Sequence, residues 1–82
     1  MKVILSKDAL KQYQKLPKEA QSKIRKKLLI LENDPFAGKK LEGELSGIRS
    51  LRVWPYRILY DVVAAKDQIQ IHKISHRQGA YK

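Results

Sequence analysis

Cysteine is absent from the 82 residues, so neither a disulfide framework nor a thiolate metal site is available. Long apolar runs are missing too. The opening MKVILSKDALKQY turns to charge too early for a signal peptide or a membrane span. Internal repeats and low-complexity tracts do not occur. Acidic residues are few, eight against eighteen basic ones, and they do not cluster. Glu42 and Glu44 fall in a loop, and Asp61 and Asp67 have no partner at useful spacing, so solvation is their expected role. His72 and His76 are four residues apart, which in an extended strand is about 13 Å, too far to share an ion. Neither metal nor cofactor is expected. No serine sits in a nucleophile motif, and Gly38-Lys39-Lys40 lacks the spacing and the following Ser or Thr of a phosphate loop.

What the chain does have is positive charge. The net charge is +10, and residues 1–31 carry nine basic and two acidic groups, residues 46–82 seven and two. Between them, residues 32–45 are mildly acidic. So large an excess goes beyond what solubility requires and points to a polyanionic partner, either nucleic acid or an acidic protein. A membrane surface is disfavoured, because the basic helices carry no Trp or Phe along a lipid-facing stripe. A chain of this length forms one domain, here residues 1–82, with a thin core, and 43% hydrophobic residues suffice to fold it. The cytoplasm is its expected location.

Val3, Ile4 and Leu5 predict a short strand, closed by Ser6 as the cap of a helix in which Asp8 suits the positive end of the dipole. Ala9, Leu10, Tyr13 and Leu16 recur at helical spacing, and Pro17 ends that helix or opens the next. From Lys18 to about Glu32, Ala20, Ile24, Leu28 and Leu31 form one apolar stripe, with Lys18, Arg25 and Lys26 opposite. Asn33, Asp34 and Pro35 stop this helix, and PFAGKKLEGELSG predicts an extended loop. From Ile48 the period becomes two. With Trp54-Pro55 as the turn, Val53 faces Tyr56, Leu51 faces Ile58 and Arg49 faces Tyr60, and this mostly apolar set points to the helices. Ser50, Arg52, Arg57, Leu59 and Asp61 form the alternate set. After a turn at Asp67-Gln68, Ile69 to Ser75 make a last strand whose phase slips between Ile71 and Ile74, which predicts a bulge or two-sided burial. The expected fold is α+β, in the order β-α-α-β-β-β, with a helical hairpin packed on one face of an antiparallel sheet.

Hairpin geometry then sets Arg52 directly opposite Arg57, a like-charge cross-strand pair that weakens a sheet by about 0.2–1 kcal/mol. An anion bound there would offset the cost. His76, Arg77 and Tyr81 follow at the end of the last strand. Arginine binds phosphate bidentately and stabilises the charge of a pentavalent transition state, while tyrosine stacks on an unpaired base or moves a proton. Single-stranded RNA suits this equipment, because its bases can be splayed onto aromatics and its 2′-hydroxyl is an internal nucleophile. The same residue types also serve as ordinary exposed sheet and turn positions, and composition leaves both readings open.

The run PFAGKKLEGELSGIRSLRVWPYRILYDV, followed by a strand and SHRQGAYK, resembles the RelE side of the RelE/ParE superfamily of bacterial and archaeal toxin-antitoxin toxins. LPKEAQSKI in the helical hairpin, the G-x-x-x-L-R-V-x-x-Y-R-I-x-Y run from Gly47 to Tyr60, and the terminal H-R-x-x-x-Y carry the resemblance over nearly the whole chain. It implies a ribosome-dependent mRNA endoribonuclease that cuts the A-site codon by 2′-hydroxyl attack. Carried over by position, Arg57 stabilises the phosphate, Arg77 is the C-terminal arginine, Tyr81 stacks on the substrate and His76 aligns with a proton-transfer position. Arg52, Lys39 and Lys40 would bind substrate, and Lys18, Lys23, Arg25, Lys26 and Lys27 would grip ribosomal RNA. The implied partners are a cognate acidic antitoxin, the ribosome and mRNA, with a free toxin that is monomeric. In one departure, Ser50 stands where many members carry another Lys or Arg, which leaves the general base unassigned. A ParE-like gyrase poison and a non-catalytic RNA-binding homologue are the alternatives.

Overall fold

Ser6 closes the first strand and opens the first helix. Its hydroxyl accepts from the Ala9 N–H at 3.0 Å and donates to the His72 carbonyl at 2.9 Å, so one side chain both caps the helix and ties it to the last strand. The elements run β1 (Lys2–Leu5), α1 (Lys7–Gln14), α2 (Lys18–Asn33), β2 (Lys39–Lys40), β3 (Arg49–Val53), β4 (Tyr56–Val63), a 3₁₀ turn (Ala64–Lys66) and β5 (Gln68–His76). The structure is a computed structural model and describes residues 1–41 and 47–76. Pro17, which has no N–H to leave unpaired, occupies the N-cap of α2. One turn on, the Gln21 side-chain amide donates to the Tyr13 carbonyl at 3.0 Å, a second bond to an oxygen that also accepts from the Leu16 N–H at 3.1 Å, and so closes the helical hairpin.

The strands lie in the order β1-β5-β4-β3-β2. Two features differ from the expected antiparallel sheet. First, β1 pairs parallel with β5, Val3 beside Ile69 and Leu5 beside Ile71, so the sheet is mixed. Parallel neighbours need a long crossover, and the intervening chain with its two helices supplies one. Second, part of the expected loop is a short strand: Lys39 pairs with Ser50 and Lys40 with Arg49, and the Leu41 N–H continues to the Ile48 carbonyl at 2.9 Å. This two-residue strand covers the outer edge of β3, which would otherwise present unpaired backbone groups.

The β3–β4 register matches the expected one, with Val53 opposite Tyr56, Leu51 opposite Ile58 and Arg49 opposite Tyr60. In the β4–β5 pair Leu59 faces Lys73 but Tyr60 faces Ile71, so His72 is an extra residue in β5. That bulge resets the alternation and lets Ile71 and Ile74, three apart, both enter the core. Ala20, Ile24 and Leu31 of α2 are buried there, with Leu28 packed alongside and Lys18, Arg25 and Lys26 exposed. Each fully buried aliphatic chain, such as Ile24, Ile58 or Ile69, contributes about 1.5–3 kcal/mol. No helix among the described residues is long and apolar enough to cross a membrane.

Candidate nucleic-acid interface

Strand alternation brings side chains of three neighbouring strands to one place on the face away from the helices. Arg52 of β3 stands opposite Arg57 of β4, and Ser50 stands opposite Lys39 of β2. These four residues line a cavity of about 540 Å³, completed by Ala37, Leu41 and Leu51, with no carboxylate in the lining among the described residues. Three cations thus converge on a concave surface. Lys40, the other lysine expected to bind substrate, pairs with Arg49 and falls on the opposite side of the ladder, outside this cavity.

Within this face two hydroxyls are buried, Ser50 and Ser75, each only 6% exposed. Neither Oγ has a hydrogen-bond partner among the described residues. Ser75 lies directly across from Arg57 on β5. A buried hydroxyl left unpaired costs about 1–3 kcal/mol, and among the described residues Ser50 and Ser75 each carry one on this face.

The edge of the cavity is held by a buried phenol. Tyr60 has no exposed surface, and its OH donates to the Pro35 carbonyl at 2.9 Å and accepts from the Gly38 N–H at 2.8 Å. Burial pushes its pKa up, aided by the charge of Asp34 and opposed by the Gly38 hydrogen bond and the Arg49 charge. A neutral phenol is the form that can make both bonds. Arg49 adds a second hold: its guanidinium donates to the Gly38 carbonyl at 3.0 Å and lies 4.8 Å over the Phe36 ring. Pro35 to Gly38 is thereby strapped to the sheet just before Lys39. Only glycine fits at 38, since an added Cβ would meet the Tyr60 OH at 2.5 Å. Sequence reasoning passed over Tyr60, Gly38 and this use of Arg49. The available signal was a tyrosine on an otherwise apolar strand face, whose OH needs a partner.

The remaining expected residues are more dispersed. His76 pairs with Tyr56, its ring edge-on at 5.4 Å and 88°, which places it by alternation on the helix side of the sheet rather than beside Arg57. Asp61, read from sequence as partnerless, meets His72 Nε2 at 3.0 Å. The bulge brings them together. Arg77 and Tyr81, like the loop carboxylates Glu42 and Glu44, lie outside the described residues. Along α2, Lys18, Lys23, Arg25 and Lys26 are exposed and Lys27 half-buried, forming a cationic band.

Residues 3–81 match the family model described as the ParE toxin of the type II toxin-antitoxin system parDE. No curated protein matches the sequence. Among solved structures, the archaeal RelE–RelB complex from Pyrococcus horikoshii is similar at 30% identity and a TM-score of 0.81, with 96% of this chain and 97% of that chain covered. The toxin-antitoxin complex RelBE2 from Mycobacterium tuberculosis is similar at 28% identity and a TM-score of 0.85, covering 93% and 96%. A YoeB/ParE toxin from Agrobacterium tumefaciens, at 21% identity, a TM-score of 0.81 and coverage of 93% and 98%, shares the fold.

Proposed function

This chain belongs to the RelE/ParE superfamily of toxins from type II toxin-antitoxin systems, and we propose that it is an endoribonuclease that cuts messenger RNA in the ribosomal A site. The observation that carries the reading is the cavity that Lys39, Arg52 and Arg57 line together with Ser50, whose hydroxyl has no partner among the described residues. A phosphodiester seated there would accept bidentate hydrogen bonds from Arg57, with Arg52 and Lys39 neutralising the charge that builds on its non-bridging oxygens. The adjacent 2′-oxygen forms a bond to phosphorus as the bond from phosphorus to the 5′-oxygen breaks. The products are a 2′,3′-cyclic phosphate and a 5′-hydroxyl. One proton leaves the 2′-hydroxyl and one arrives at the 5′-oxygen. The protein's tasks are alignment and charge stabilisation, which such a cluster supplies. By the resemblance, Arg77 adds a further cation and Tyr81 stacks on the substrate; the resemblance also puts proton transfer at His76, but its register against Tyr56 sets it off the Arg52–Arg57 face, which leaves the general base unassigned. Of the cations along α2, Lys18 and Arg25, exposed and seven residues apart, suit ribosomal RNA.

An acidic antitoxin covering this basic surface is the expected partner, in keeping with the toxin-antitoxin complexes among the similar structures. In a reconstituted translation system the protein should cut mRNA at the A-site codon and leave naked RNA nearly intact. The match to a ParE family model favours a second reading, poisoning of DNA gyrase. Intact transcripts together with inhibited supercoiling would establish that one and refute the nuclease.

A further inference from the structure

A second cavity, of about 420 Å³, lies between α2 and the β3–β4 tip, lined by Lys23, Lys26 and Lys27 on one side and Arg52, Val53 and Trp54 on the other. We propose that this groove binds the single-stranded RNA flanking the cleaved phosphate, with one nucleobase stacked on Trp54; the assignment rests on the nuclease reading above.

Spacing of three and four residues puts the three lysines on one face of α2, where like charges repel by a few tenths of a kcal/mol per pair. None of them has an ion-pair partner among the described residues. Opposite them stands Trp54, 60% exposed at the tip of a hairpin and the chain's only tryptophan. An accessible indole beside a cationic groove is the arrangement that holds an unpaired strand, the phosphates following the cations and a base lying on the ring. Duplex RNA offers no free base face, so only a single strand can use both elements. Arg52 lines this groove and also the cavity that holds Ser50 and Arg57. A polymer with a phosphate at every unit can span both sites through that shared guanidinium. An acidic peptide would satisfy the lysines but would leave the indole without a stacking partner. Beyond Trp54 the cationic lining ends, since the smaller hollow that Trp54 and Lys23 also border contains Glu19.

Because Trp54 is the sole tryptophan, its fluorescence reports occupancy directly. The full chain would be titrated with a fully 2′-O-methylated oligoribonucleotide of about eight residues, which cannot be cleaved and matches the span of such grooves. The same sequence as a duplex, and poly-glutamate, complete the set of probes. The single strand should quench Trp54 saturably and with strong salt dependence, while duplex and poly-glutamate should not. Trp54→Ala should weaken oligonucleotide binding, followed by anisotropy of a labelled strand, by about fivefold or more, and Trp54→Phe should keep most of the affinity. Equal affinity in Trp54→Ala, or equal quenching by poly-glutamate, would overturn the assignment. The binding readout does not depend on cleavage. A chain that binds with quenching yet cuts nothing on ribosomes would refute the nuclease and leave the groove. A Trp54→Ala chain that cuts and binds as the wild type does would refute the groove and leave the nuclease.

Discussion

Removing one oxygen from the core should loosen the cationic cavity. Tyr60→Phe deletes the OH that joins the Pro35 carbonyl to the Gly38 N–H and keeps the ring that fills the core. The Gly38 N–H is buried and loses its acceptor, which costs about 1–3 kcal/mol, whereas the Pro35 carbonyl is less enclosed and can take a water instead. A net destabilisation of about 2 kcal/mol follows, equivalent to roughly 8–16 °C in Tm for a domain of this size. Circular-dichroism melting measures it. A loss under about 0.5 kcal/mol would refute the strap. The pH dependence gives an independent sign. The folded-state pKa of Tyr60 lies above its ordinary value of 10.0. The unfolded chain therefore releases this proton first as pH rises. The contribution of Tyr60 is complete below pH 10.0 and is lost as pH climbs from there through the raised folded value. The wild type should lose its advantage over Tyr60→Phe across that range; an advantage constant with pH would refute the pKa reading. Gly38→Ala provides the coupling test, because its Cβ would meet the Tyr60 OH at 2.5 Å and the ring carbon Cε1 at 2.7 Å. Its cost should fall, without vanishing, in the Tyr60→Phe background.

Other perturbations separate the roles of the cavity residues. Arg57→Ala should slow A-site cleavage by about 10² or more, as loss of a transition-state donor does, with the melting temperature retained; unchanged cleavage would place the phosphate elsewhere. Ser50→Ala removes a buried hydroxyl that has no partner among the described residues, so it should hold or raise stability by about 1 kcal/mol while cutting turnover roughly tenfold through a lost bond to the anion. A variant with full turnover would show that the hydroxyl does not touch substrate. Lys39→Ala should lower cleavage about fivefold, the effect of roughly 1 kcal/mol from one cation at 4 Å in water, and Lys40→Ala should leave the rate within twofold. Equal losses in both would mean that the ladder does not set which lysine meets the anion.

What could be read from the sequence was what depended on local periodicity. The Trp54-Pro55 turn fixes the register of Arg49 to Val53 against Tyr56 to Tyr60, so the Arg52–Arg57 pair and the helix-facing set followed from alternation alone. Likewise the three-residue spacing of Ile71 and Ile74 allowed a bulge or two-sided burial, and the register shows the bulge. Pairings between distant segments were not legible. β1 contacts β5 across more than sixty residues, and nothing in Val3 to Leu5 specifies a parallel neighbour. β2 is too short to show a period. The strap joins Tyr60 to residues 22 and 25 positions earlier, and the Asp61–His72 contact exists only because His72 is the bulged residue. His76 illustrates a finer limit: its chemistry suited the arginine cluster, but one step along a strand changes face, and register places it against Tyr56.

The serine at position 50 and the lysine at position 39 are best understood together. The resemblance implies a Lys or Arg at position 50 in many members of the family. Here Ser50 is short and buried, and the residue directly opposite it on the next strand is Lys39. Opposed residues share a face, so the lysine approaches the same cavity from the β2 side. Positive charge thus reaches the Ser50 side of the cavity from across the ladder. That arrangement makes the site depend on β2 staying paired, and two ladder residues hold little by themselves. The strap resolves this weakness: Tyr60 and Arg49 bind the backbone of Gly38, the residue immediately before Lys39, from inside the core. With serine at 50 the site therefore relies on Tyr60, because one of the three cations lining the cavity, Lys39, is carried by the segment that the phenol holds.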